Sequence, residues 1–198
     1  MGRTKTKNYS QPDDYTCGPT SLKIALEILG VRKSLNSLID LCQTSRNGTS
    51  VRKMVKAINK LGFSVLVMEW ATLRHLQSAL RYSSLKPRAI IVDYLYDLKE
   101  NQEPHEDSGH YSTVASYSAR DSRIVLFDPA NEGRKKSFKW SDFQNRWYDF
   151  DYKRRKIQKR GRSFKLVKNW NNRLMFILAH DSKHLPKFKT PYAQVFTP

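Results

Sequence analysis

The chain has 198 residues with 36 Lys and Arg against 18 Asp and Glu, a net charge of +18; 39% of its residues are hydrophobic and 12% aromatic. That is long enough for one domain with its own core, short for two, and too apolar for wholesale disorder. No apolar stretch approaches the roughly 20 residues of a membrane span, the start MGRTKTKNYS lacks the apolar region of a secretory signal, and two cysteines, Cys17 and Cys42, make no disulfide framework. One cytoplasmic domain over 1–198 with free thiols is expected, and its charge favours anionic partners.

In chain order, Leu22, Ala25, Leu26 and Leu29 form one stripe at helical spacing, and Gly30 ends that helix. Cys17 lies just before or within its first turn, where Pro19 is tolerated. Ser34 to Cys42 reads as a second helix with Cys42 inward. Ser50 is placed to start a third from Val51 to Leu61, which Gly62 stops. Phe63 to Met68 reads as a strand and Thr72 to Tyr82 as a fourth helix. From Pro87 the period becomes strand-like: Arg88 to Tyr94, then Tyr111 to Tyr117 and Arg123 to Phe127 around a short turn. Trp140 to Tyr148 has a helical pattern, Leu174 to Ala179 is expected to close the sheet, and 180–198 to lie as a surface tail. Helices first and antiparallel strands later predict an α+β domain of two layers.

Lys153 to Lys168, KRRKIQKRGRSFKLVK, holds nine basic residues and no acidic one. One reading is a solvated basic loop, an insertion between strands. The other is a patch for nucleic acid, an anionic surface or an acidic substrate. No zinc-finger, helix-turn-helix or RNA-binding signature accompanies it.

A thiol at a helix N-terminus has its thiolate favoured by unpaired N–H groups and the helix dipole. A lone cysteine is most often a buried apolar residue; a histidine and an acid at compatible positions change that reading. His110 opens the strand HYSTVASY, and Asp128 closes IVLFDPA. In a hairpin with a loop of about three residues, His110 and Asp128 face one another across neighbouring strands. The acid can then orient the imidazole, and the imidazole can take the thiol proton. Gln11, six residues before Cys17 across a loop holding Pro12, can offer its amide to a developing oxyanion together with a backbone N–H. Asp13 and Asp14 are read as turn residues of that loop. His105, Glu106 and Asp107 are consecutive and converge poorly on one ion, and His180, Asp181 and His184 sit in the polar tail, so neither metal nor cofactor is expected.

The stretch QPDDYTCGPTSLKIALEILG resembles the Cys box of the C39 and C39-like peptidases, a papain-like branch. NGTSVRKMVKAINKLGFSV is similar to the block that follows it there, SGHYSTVASY and IVLFDPA to the His and Asp boxes, and Trp140 to Phe143 to a downstream aromatic helix. The likeness covers about residues 9 to 145 and a final strand. It implies a papain-like fold of N-terminal helices packed on an antiparallel sheet, with Cys17 as nucleophile, His110 as general base and acid, Asp128 as its orienter and Gln11 as oxyanion donor. Thr16 stands where many members have Asp, and the double-glycine specificity of transporter-fused members is not implied. Two readings stay open. One is a cysteine peptidase acting on a peptide or protein substrate, an acidic one if the basic run steers it. The other is a papain-like binding module without turnover.

Overall fold

A computed structural model describes residues 6–83, 85–97, 109–157 and 164–198, with the backbone alone at 151–156, 166 and 168. Three helices lead: α1 (Cys17–Ile28), α2 (Leu35–Leu41) and α3 (Val51–Lys60). They are followed by β1 (Ser64–Met68), α4 (Leu73–Leu80), β2 (Ala89–Leu95), β3 (Gly109–Ser118), β4 (Arg123–Phe127), β5 (Lys135–Lys139) and α5 (Trp140–Arg146). Then come β6 (Tyr148–Lys156), β7 (Phe164–Asn172), β8 (Met175–Ala179) and β9 (Ala193–Phe196). Seven strands form an antiparallel sheet in the order β5-β4-β3-β2-β8-β1-β9, and β6 and β7 pair separately as a two-stranded ribbon.

The α+β class holds, and the sheet is covered on both faces rather than one. Leu22, Leu26, Leu38, Met54 and Ile58 of α1–α3 pack on Ile91, Phe176 and Leu178. Leu76 and Ala79 of α4 and Phe143 of α5 pack, with Trp147, on the other face, against Ile90, Val92, Met175 and Ile177. Side chains alternate across a strand, so covering both faces buries every position of a central strand. β2 (AIIVDYL) and β8 (MFILA) are accordingly buried throughout. That double burial also corrects the expected role of Leu174 to Ala179, because β8 lies inside the sheet between β2 and β1. The closing strand on that side is β9, from the segment expected as a tail, paired with β1 from Met68↔Ala193 to Val65↔Phe196.

The basic segment is a ribbon rather than a loop over its described part, paired from Tyr148↔Asn172 to Lys156↔Phe164. Its root is held by Trp147, 1% exposed, whose Nε1 donates to the Leu174 carbonyl at 3.0 Å. Among the described residues no helix is long and apolar enough to cross a membrane.

Candidate active site

Cys17 is the first residue of α1 and is buried at 6% exposure. Thr16, the preceding cap residue, makes no side-chain hydrogen bond to the helix end. The Thr20 amide already bonds the Thr16 carbonyl at 3.1 Å, and Pro19 has no N–H. The amides of Cys17 and Gly18 are therefore the helix-end donors without an intrahelical acceptor. Gly18 is required by close approach: a Cβ there would lie 2.9 Å from both Cβ and Oγ1 of Thr49 and 3.3 Å from Cε of Met54. The Gly-Thr-Ser stretch before α3 thus sets the depth of the α1 end. Gly18→Ala is expected to cost about 1–3 kcal/mol by overpacking, read as a lower melting temperature, and to slow alkylation of Cys17.

α1 is tied to β3 one turn after Cys17. The Ser21 hydroxyl donates to the Tyr111 carbonyl and the Thr113 hydroxyl to the Ser21 carbonyl, both at 2.8 Å. With Ser21 and Tyr111 fixed, the helix end bearing Cys17 comes against His110, the neighbour of Tyr111. The His110 ring lies close enough to the Cys17 thiol for the two to interact, Cys17 being one of the groups that raise the His110 pKa. Its Nε2 is 2.8 Å from Oδ1 of Asp128, leaving Nδ1 for the sulfur.

The His110–Asp128 contact is the expected one, reached by a different register. Beside the turn the partners are Tyr117↔Ile124 and Ser116↔Val125; further along they are Val114↔Leu126 and Thr113↔Phe127. Ala115 is the extra residue of a β-bulge. Continued without the bulge, the register at the turn would set His110 and Asp128 on opposite faces. With it they share a face as diagonal neighbours rather than as a direct pair. Gly109, just before His110, has the Asp149 carboxylate of β6 where a side chain would go.

Asp128 is fully buried, and three donors hold it. Oδ1 takes His110 Nε2 and the Ala130 amide at 2.9 Å, and Oδ2 takes the Tyr94 hydroxyl at 2.5 Å. Burial works to raise its pKa; the hydrogen bond and charge of His110 and the bond from Tyr94 outweigh it and hold the carboxyl below its ordinary value. His110, 5% exposed, shows the matching balance. Burial lowers its pKa, but the hydrogen bonds and charges of Asp128 and Cys17 raise it from 6.5 to about 9. Cys42, also read as core, is driven by burial to about 12.

Gln11 lies in the loop leading to Cys17. Its backbone N–H donates to the Pro129 carbonyl at 3.0 Å, and Asn8 Nδ2 reaches the Asp128 carbonyl at 3.3 Å, so the segment before Cys17 is stitched to the Asp128 loop. The Gln11 amide donates to the Asp13 carbonyl at 2.8 Å, leaving its second N–H for another acceptor. Asp13 turns that loop, accepting from the Tyr15 amide at 3.2 Å.

Of the remaining polar groups, His105, Glu106 and Asp107 lie outside the described residues. Asp181 pairs with Lys183 at 2.8 Å, and His180 bonds the Leu29 carbonyl. Tyr94 and the bulge escaped the sequence reading. Tyr94 sits in a continuous apolar run where nothing distinguishes a phenol from a packing aromatic. The Asp-Pro-Ala turn was the one available hint, since an Asp commonly bonds the amide two residues on.

The model of the Peptidase C39 family matches residues 5–150. The chain belongs to that family. It is 26% identical over 147 residues to the mesentericin transport/processing ATP-binding protein MesD of Leuconostoc mesenteroides, covering 74% of this chain and 18% of that protein. It is 45% identical over 65 residues to a lactococcin transport/processing ATP-binding protein LcnC-like of Lactococcus lactis, covering 32% and 9%. The chain therefore spans less than a fifth of these relatives. Among solved structures it is similar to the peptidase domain of Streptococcus ComA, a bi-functional ABC transporter involved in quorum sensing, with TM-score 0.62 and 20% identity over 89% of this chain and 99% of that one. A double glycine motif protease from an AMS/PCAT transporter in complex with a leader peptide has TM-score 0.56 and 13% identity over 90% and 94%. The C39 fold, a papain-like α+β architecture, is what these likenesses carry.

Proposed function

We propose that this chain is a cysteine peptidase cleaving peptide or isopeptide bonds through an acyl-enzyme. What carries the reading is one arrangement: Asp128 on His110 Nε2 at 2.8 Å, with the same imidazole interacting with Cys17 at the head of α1. His110 takes the thiol proton, and the thiolate attacks the carbonyl carbon. The C–S bond forms as the carbonyl π pair moves to oxygen, where the Cys17 amide and the Gln11 side chain donate. Imidazolium returns the proton to the leaving nitrogen as the C–N bond breaks. Water, deprotonated by His110, then releases the acid and restores the thiol.

Limiting iodoacetamide at neutral pH tests this. Cys17 is expected to alkylate on the order of 10²-fold faster than Cys42, by peptide mapping, as a thiol with an imidazole base beside it outpaces one that burial keeps protonated. Equal, slow labelling of both would count against it.

The ribbon favours a second reading, a binding module with a basic face for nucleic acid or acidic proteins. Among its described side chains Trp170 and Phe164 are 44% and 50% exposed, with Trp170 edge-on to Phe150 at 5.1 Å, beside a run of basic residues. Exposed aromatics among cations suit single-stranded nucleic acid. Salt-dependent binding of an oligonucleotide that persists in Cys17→Ala, with no hydrolysis of a peptide library, would favour it. Loss of binding to an oligonucleotide but retention of polyglutamate would point to an acidic substrate.

A further inference from the structure

We infer that Tyr94 is a positioning residue of this site, holding the second oxygen of Asp128 so that the first stays in line with His110. The inference rests on the peptidase reading of the Cys17–His110–Asp128 set. Tyr94 lies in β2, directly across from His110 in the β2–β3 pairing, and is 0% exposed. Its hydroxyl donates to Asp128 Oδ2 at 2.5 Å, while its ring meets the imidazole edge-on, centroids 5.7 Å apart at 82°. One side chain therefore touches both partners of the ion pair.

A carboxylate held through one oxygen can swing about its Cβ–Cγ bond. Held through both, it presents Oδ1 to Nε2 in a single orientation, the kind of second contact that fixes a reacting group's geometry. Burial, then the nearby charge of Asp128, keep the Tyr94 phenol protonated far beyond neutrality, so it remains a donor across the working range.

Among the described residues the other charges facing this group are few. Lys136 of β5 lies 3.4 Å over the Tyr96 ring, and its charge also favours ionised Asp128. Arg146 and Asp97 act on Lys136 in opposite directions, and Tyr96 packs on His110 at 5.0 Å. Tyr94 alone among these donates directly to Oδ2.

Tyr94→Phe keeps the ring and removes the donor. An unsupported buried carboxylate is more basic and competes for the Nε2 proton. The acid limb of the Cys17 alkylation profile with iodoacetamide is expected to move up by about one pH unit, a tenfold lower rate at a pH on that limb. In an Asp128→Asn background the same substitution is expected to shift nothing, since no carboxyl remains to protonate. Circular dichroism and the Cys42 labelling rate serve as the check on folding. An unmoved limb with only a lower melting temperature would reduce Tyr94 to packing, and a shift that persists without Asp128 would sink the proposed route. Equal alkylation of Cys17 and Cys42 in the unsubstituted chain would instead overturn the peptidase reading itself.

Discussion

Cys17→Ser is expected to lower kcat/KM by at least about 10³-fold on any peptide the chain cleaves, while leaving the melting temperature above about pH 9 nearly unchanged. The two side chains are close in size, and the site is closed by contacts the change does not touch, including Ser21 on Tyr111 and Gly18 against Thr49. What disappears is the sulfur nucleophile that faces His110. The substitution should also change His110 itself. The hydrogen bond and charge of Cys17 are two of the causes that raise its pKa to about 9, and burial opposes them. A histidine raised in the folded state adds stability in full below its ordinary 6.5 and loses it as pH rises through about 9. The unsubstituted protein should therefore lose melting temperature between roughly pH 6.5 and 9, and Cys17→Ser should lose less. Two melting series and one kinetic series check both halves. A variant that kept turnover would remove Cys17 from the chemistry.

Helices α1 to α4 were legible because each carries its own punctuation. Ser34 caps α2 by accepting from the Ser37 amide, Thr72 caps α4, and Gly30 and Gly62 adopt positive φ after α1 and α3. These are local signals. Sheet order is not local: nothing in MFILA says that β8 enters between β1 and β2, and a strand buried on both faces loses the alternation that would reveal its neighbours. β5, KKSFK, was missed because its exposed lysines hide the strand pattern. At the site, Cys17, His110, Asp128 and Gln11 were visible as residue types in order. Their meeting depended on Ala115, an extra residue in a strand whose sequence, HYSTVASY, contains no Gly or Pro to mark a bulge. The assumed register gave the right partner for the wrong reason, since any even offset puts the two side chains on one face. Tyr94 was hidden more completely, because its role exists only once β2, β3 and the Asp128 turn are assembled.

Asp128→Asn separates two things that the carboxylate supplies at once. Its shape can be kept: the amide oxygen can still accept from His110 Nε2 and the Ala130 amide, as Oδ1 does at 2.8 and 2.9 Å. Its charge cannot. Without it, burial, the largest influence on His110, is opposed only by Cys17, so the imidazolium becomes harder to hold and the pKa of about 9 falls. A flipped amide is worse. Its N–H would face Nε2, force the proton onto Nδ1, and leave His110 no lone pair toward the thiol. Loss of charge and risk of the wrong tautomer together are expected to cost on the order of 10³-fold in kcat/KM, within the range seen when a triad acid is neutralised. The alkaline limb of the rate profile should move toward neutral pH by at least about one unit. The direction is the test. Removing the Tyr94 donor is expected to move the acid limb alone, whereas removing the carboxylate moves the alkaline one. An Asp128→Asn protein with its alkaline limb still near 9 would mean that Cys17 by itself holds the His110 proton, and Asp128 would then be a buried anchor of its loop.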